Sequence, residues 1–196
     1  LLQDTTAISL LGESPLVLFV AANQYKEGQF DKFLTDAKRA SAPFTLATSG
    51  NGSISHLAAG LLSKETRVTL EMIPYKGSAP ALTDVAAGIV SGHCCTLASA
   101  ASLLGAGKIV PLFVTGESRI PQLPNTPSAV EVRLKTMNLV QWWARVAPSK
   151  TPQHIADKLY QAAAASLKDD RVKNRISSQG IDLKSLSPAE TKSFIR

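Results

Sequence analysis

The 196-residue chain is 44% hydrophobic and 18% charged, a balance that excludes bulk disorder and suits one large core or two smaller ones. Its formal charge of +6 comes from Lys and Arg scattered along the chain; they form neither the arm nor the stripe that nucleic acid requires, and no nucleic acid partner is expected. The longest apolar stretch, Leu16 to Ala22, is far shorter than the roughly 18–20 residues of a membrane helix, so the chain reads as soluble.

In chain order, Ser14-Pro15 precedes the run Leu16-Val17-Leu18-Phe19-Val20, which is strand-sized and rich in branched and aromatic residues. It reads as a core or crossover strand. From Gln29 to Arg39 the apolar positions Phe30, Phe33, Leu34 and Ala37 keep helical spacing until Ser41-Ala42-Pro43 stops them. A strand from Phe44 to Thr48 then runs into Ser49-Gly50-Asn51-Gly52-Ser53, and Ile54, Leu57, Ala58, Leu61 and Leu62 mark a helix beyond that loop. Arg67 to Ile73 alternates like a strand, Pro74-Tyr75-Lys76-Gly77 turns the chain, and Pro80 to Ala87 is a short helix closed by Gly88. Cys94 to Leu97 reads as a strand leading into a helix up to Leu104, which Gly105 and Gly107 end before the strand Ile109 to Thr115. This β-α repetition predicts an α/β fold, a parallel or mixed sheet with helices on both faces.

Arg119 to Ser128 is an irregular, Pro-rich connection, and Leu139 to Val146 a strand that returns the chain to another lobe. Pro152 opens a helix to about Leu167, Asp170 is the expected cap of a second that Gly180 ends, and Ser187-Pro188-Ala189-Glu190 is a capping-box start for a third. The chain opens on Leu1-Leu2-Gln3-Asp4 without Met or a signal peptide and stops at Arg196 inside that third helix. Both ends are expected to be incomplete.

The glycines of Ser49-Gly50-Asn51-Gly52-Ser53 let successive backbone N–H groups, and the helix N-terminus behind them, converge on one spot that attracts an anion. A tight turn with Ser53 as N-cap is the structural alternative. Nucleotide motifs fail on spacing, because a third glycine and a Gly-Lys-Ser/Thr are both missing. His56 lies three residues into the helix and either faces the ligand or fills a surface position. Tyr75, at a strand-to-turn junction, and the hydroxyls of Thr96 and Ser99 are further candidates, since in open α/β sheets ligands lie at the carboxyl ends of strands.

No catalytic residues are expected: a Ser-His arrangement would need an orienting acid and an oxyanion hole, and no Gly-x-Ser-x-Gly occurs. His56, His93 and His154 have no zinc spacing, and no metal or cofactor is expected. Adjacent Cys94 and Cys95 are too close for ordinary disulfide geometry and read as small core residues on opposite faces of a strand.

Taken together, Gly50-Asn51-Gly52-Ser53 with His56-Leu57-Ala58, Ile73-Pro74-Tyr75-Lys76-Gly77 with Pro80-Ala81-Leu82-Thr83-Asp84 and Gly88, then Ala106-Gly107-Lys108, Arg119, Leu123-Pro124-Asn125-Thr126-Pro127-Ser128, Glu131, Trp142, Ala147-Pro148 and Thr151-Pro152 resemble the receptors of tripartite tricarboxylate transporters, the Bug proteins. Departures appear at Val90-Ser91-Gly92-His93 and at Arg133-Leu134-Lys135. The resemblance implies a periplasmic-binding-protein type II-like fold, two lobes joined by crossover strands, with the first lobe incomplete. Residues 1–19 and 141–196 would be the remnant of the first lobe, and 20–140 the second.

The implied function is extracytoplasmic capture of a small carboxylate for a tripartite tricarboxylate-type membrane transporter, by a periplasmic, monomeric protein made with a signal peptide in its precursor. The ligand would meet Ser49, Gly50, Asn51, Gly52, Ser53, His56, Tyr75 and Thr96. An alternative with the same fold is the cytoplasmic effector-sensing domain of a transcription regulator.

Overall fold

The computed structural model describes residues 4–195. The elements follow in the order β1 (Thr5–Pro15), β2 (Val17–Ala21), α1 (Phe30–Arg39), β3 (Phe44–Thr48), α2 (Ile54–Thr66), β4 (Leu70–Pro74), α3 (Ser78–Ala86), β5 (Gly92–Cys95), α4 (Leu97–Gly105) and β6 (Ile109–Val114). After an irregular stretch come β7 (Val140–Pro148), α5 (Gln153–Lys168), α6 (Asp170–Ser177), β8 (Asp182–Leu186) and α7 (Pro188–Ile195). They divide into two compact units, Leu1–Ser14 with Gln141–Arg196, and Pro15–Val140.

The larger unit is built on a five-stranded sheet in the order β4-β3-β5-β2-β6. β3 runs parallel to both β4 and β5, whereas β2 is antiparallel to both β5 and β6. Strand alternation separates two cores. On one face Leu16, Leu18, Val20, Leu46 and Cys94 pack with Phe30 and Phe33 of α1 and Ala58, Ala59 and Leu62 of α2. On the other, Val17, Phe19, Ala47 and Cys95 pack with Ala81, Leu82 and Val85 of α3 and Ala100 of α4. The expected mixed α/β sheet with helices on both faces is what forms, and the two buried cysteines are free and on opposite faces.

Several expected boundaries move. The sequence reading puts residues 1–19 with the first lobe, but β2 is hydrogen-bonded between β5 and β6, so the division falls between Ser14 and Pro15. Helix α2 continues to Thr66 and closes on Arg67 in the left-handed region, which delays β4 to Leu70. Strand β5 begins at Gly92, not Cys94, because β2 passes so close that a Cβ there would lie 3.1 Å from the Phe19 carbonyl oxygen. Asp169, not Asp170, caps α6, accepting from the amides of Arg171 and Val172.

In the smaller unit the sheet order is β7-β1-β8, with β1 antiparallel to β8. Neither β1 nor β8 is among the expected elements. Buried Ser9 interrupts the apolar pattern of β1, and β8, Asp-Leu-Lys-Ser-Leu, is polar and short. Ile8, Ala147 and Ala156 form a small core with Leu159 and Tyr160, and Trp142 meets Phe194 edge to face at 5.8 Å. Among the described residues no helix is long and apolar enough to cross a membrane.

Three side chains pin the larger unit. Arg119 makes a bidentate contact with Glu131, and Glu131 in turn accepts from the Ser128 amide, so the Pro-rich connection is held across its own bend. Buried Thr115 accepts from the Leu16 amide at 2.8 Å and donates to the Leu139 carbonyl at 2.6 Å. Thr115→Val keeps the volume but leaves the buried Leu16 amide unpaired, at about 1–3 kcal/mol, and the part-buried Leu139 carbonyl without its donor. Urea unfolding of the variant is expected to show a lower midpoint with an unchanged slope.

His93, in β5 and fully buried, ties three elements. Its Nδ1 lies 2.7 Å from the Ala47 carbonyl oxygen, which only accepts, so Nδ1 carries the proton and Nε2 accepts from Ser78 Oγ at 3.1 Å. Burial holds its pKa below the ordinary 6.5, outweighing the opposite effect of the Ala47 bond. Below that pH the unfolded chain takes up a proton that the folded chain refuses, so stability falls as pH drops, by at most about 1.4 kcal/mol per pH unit. In His93→Gln this part of the acid sensitivity should vanish, which denaturation midpoints between about pH 7 and 5 will read.

Candidate functional site

Parallel strands β4, β3 and β5 each hand the chain to a helix at the same sheet end, so three loops and the N-termini of α3, α2 and α4 gather there. The central loop, Ser49 to Ser53, lies between the Tyr75 turn after β4 and Thr96 after β5. The first two are in register: the Tyr75 amide donates to the Thr48 carbonyl at 2.9 Å, and a Cβ on Gly50 would lie 3.6 Å from the Tyr75 carbonyl oxygen. Gly50 and Gly52 adopt φ of 125° and 75°, conformations that a side chain would strain.

Hydroxyls lock this loop. Ser53 is the N-cap of α2: its Oγ accepts from the His56 amide at 3.3 Å and donates to the Gly50 carbonyl at 2.7 Å. Buried Ser55 sits behind it, with its Oγ accepting from the Ser49 amide at 2.8 Å and lying 2.8 Å and 2.9 Å from the hydroxyls of Ser49 and Ser53. The Gly52 amide donates to Nδ1 of His56 at 3.0 Å, and in that role the ring carries its proton on Nε2. His56 therefore braces the loop.

The amides divide accordingly. Those of Ser49, Gly52, Ser53 and His56 are bonded within the loop, whereas no acceptor takes those of Gly50, Asn51, Ile54 and Ser55 among the described residues. The amides of Ile54 and Ser55 lie in the first turn of the 13-residue α2, at its positive end, and those of Gly50 and Asn51 in the loop before it; together they are the candidate anion site. Sequence reasoning named Gly50 and Asn51 and did not name Ile54 and Ser55 as candidates. Capping rules contain the signal, since with Ser53 as N-cap the next two amides are the ones a helix leaves unpaired.

The flanking candidates are less free. Tyr75 donates its hydroxyl to Asp84 Oδ2 at 2.6 Å, and this bond, with burial second, raises its pKa to about 12. Thr96 is buried at the N-cap of α4, 3.1 Å from Ser99 Oγ. Thr48 Oγ1, on the last residue of β3, is buried without a hydrogen-bond partner among the described residues. Alternation puts it on the face of Leu46, which α2 covers. Among the described residues no three His, Cys, Asp or Glu side chains gather as metal ligands.

The sequence model of the tripartite tricarboxylate transporter family receptor matches residues 2–196. A protein from Agrobacterium vitis, named for the TAR-I ttuE-ttuC' intergenic region, is 30% identical over 91% of this chain and 51% of its own length. Two solved structures superpose closely. Rpa4515 of R. palustris, with adipate, has a TM-score of 0.91 at 29% identity over 98% of this chain and 64% of that one. MatC from Rhodopseudomonas palustris, with bound malate, has a TM-score of 0.88 at 25% identity over 97% and 66%. The chain thus spans about half the length of the curated relative and about two thirds of the structures. With its α/β fold, its loop and this match over nearly every residue, the chain belongs to the tripartite tricarboxylate transporter receptor family, a family of solute-binding receptors.

Proposed function

We propose that this chain is the solute-recognising part of a periplasmic receptor that takes a small carboxylate at the carboxyl end of β3, β4 and β5. The solute passes from there to membrane subunits of a tripartite tricarboxylate-type transporter, without chemical change and without a cofactor or metal. The observation that carries this reading is the set of four uncommitted amides, Gly50, Asn51, Ile54 and Ser55, at the N-terminus of α2. Carboxylates in two similar proteins, adipate and malate, support the class of solute.

In this reading the carboxylate lies on those amides, with Ser49 at its side. Ser53 and Gly52 hold the loop, and the Nε2–H of His56 is a further donor. Tyr75 and Thr96 flank the solute, Tyr75 through its backbone, because its hydroxyl is engaged by Asp84. The smaller unit is the proposed part of a first lobe and the larger unit the proposed second lobe, with the proposed site residues all on Pro15–Val140.

Magnitudes set the expected affinity. A helix N-terminus contributes at most about 2 kcal/mol and each charged hydrogen bond about 1.5–3. Association costs at least about 4 kcal/mol in lost freedom, and micromolar binding needs about 8 net. One loop with two or three such bonds therefore holds a solute in the millimolar range.

Titration of the 196-residue chain with a panel of di- and tricarboxylates, followed by amide NMR, should shift Gly50, Asn51, Ile54 and Ser55 first. Gly50→Val, which cannot hold φ of 125°, should lose those shifts. A panel that moves none of these amides contradicts the proposal, and a submicromolar dissociation constant by calorimetry contradicts the assignment of affinity to this one loop.

A further inference from the structure

A buried imidazole lies just beneath the sheet end where the three helices start. His93 pairs in register with Ala47, one residue before the end of β3, and is fully buried. Its Nδ1 donates to the Ala47 carbonyl at 2.7 Å, and its Nε2 lies 3.1 Å from the Oγ of Ser78, in the first turn of α3. Ser78 is half-buried, so its hydroxyl stands between the ring and solvent.

This pair keeps its hydrogen bond in both charge states of the ring, with the proton reversed. When the ring is neutral, Nε2 only accepts, and Ser78 commits its single proton inward. When the ring is cationic, Nε2 donates, Ser78 Oγ accepts, and the hydroxyl proton turns outward. The exchange balances. The Ser78 O–H bond breaks as the Nε2–H bond forms, and Ser78 takes a replacement proton from a solvent hydronium ion, leaving water.

The core around the ring is poor in charge. His93 shares a face with Cys95, whose thiol burial pushes far above its ordinary range, and that face packs against α3 and α4. Strands β2, β3 and β6 and helix α4 carry no titratable side chain, nor do residues 120–123, which adjoin the same core. On α3 the only ionisable group is Asp84, which accepts from Tyr75, itself kept neutral by a pKa of about 12. His56, Lys64 and Glu65 belong to α2, across the sheet. Burial without a counter-charge keeps the resting ring neutral, its pKa below 6.5.

An anion at the sheet end supplies the charge that this core lacks. Resting on the reading of that end as a carboxylate site, we infer that Ser78 is a further contact for the bound carboxylate, donating its hydroxyl proton to it only when His93 is protonated. His93 is the positioning residue that sets the direction of that proton. Solute capture and uptake of one proton are then linked: the cationic form binds the carboxylate better, and the carboxylate raises the ring's affinity for a proton by the same factor. Binding therefore tightens as pH falls through the His93 titration. It is weakest where the ring is neutral and the Ser78 proton points inward.

The 196-residue chain with adipate as probe tests this by two NMR measurements. The ring signals of His93, followed against pH without and with adipate, should show the titration midpoint moving up by about 0.7 pH unit, the equivalent of fivefold coupling. Dissociation constants from amide shifts at about pH 7.5 and 5.5 should improve on acidification by roughly fivefold more in the wild type than in His93→Gln. Ionisation of adipate itself is common to both and cancels. Ser78→Ala keeps the buried ring but removes the reversible hydroxyl, and should lose the same excess, so the test stands even if His93→Gln folds poorly. A His93 midpoint that adipate leaves in place, a ring that stays neutral throughout, or an equal pH dependence in wild type and Ser78→Ala overturns the inference while leaving carboxylate binding intact. Absence of any amide shift at either pH overturns the carboxylate reading itself, and the proton linkage with it.

Discussion

Parallel pairing of β3 with both β4 and β5 is the constraint on which the rest depends. A parallel neighbour cannot be reached by a tight turn, so each connection crosses back over the sheet as a helix. The consequence is geometric: α2, α3 and α4 all start at the same sheet end, and their unpaired amides and positive dipole ends sum there. His93 reinforces the arrangement from beneath, joining the Ala47 carbonyl in β3 to Ser78 in the first turn of α3. The position of the site is thus a property of strand order. Which loop amides remain available is decided by a few side chains, Ser53, Ser55 and His56.

Much of this was legible in the sequence where local pattern and tertiary role agree. The run Leu16 to Val20 and the alternation of Leu46 with Ala47 are buried on the faces that period-two reading assigns. The loop Ser49 to Ser53 was recognisable because Gly50 and Gly52 have no reason to flank Asn51 unless the backbone needs φ above zero. Cys94 and Cys95 divided between the two cores as adjacent strand residues must.

What was not legible depends on partners distant in the chain. Strand β8 exists because β1, near the other end of the chain, offers a ladder through Leu10, Gly12 and Glu13; nothing in Asp182 to Leu186 announces it. Gly92 extends β5 by two residues for the sake of a close approach to Phe19 that only the fold creates. Ser55 was overlooked for a different reason. It follows a good N-cap, where serine is unremarkable, and its importance lies in being buried against two other hydroxyls. The role of Tyr75 was likewise undecidable until Asp84, nine residues on, was seen to accept a hydrogen bond from its hydroxyl.

Thr115 has a wider consequence. By holding the Leu16 amide and the Leu139 carbonyl on one hydroxyl, it brings together the two points at which the backbone enters and leaves Pro15–Val140. An insert whose ends already meet adds almost nothing to the entropy of closing the chain on either side of it, whatever its length. To Leu1–Ser14 and Gln141–Arg196, therefore, the intervening sheet counts as a short staple, and the smaller unit can assemble as if its two segments were neighbours in sequence.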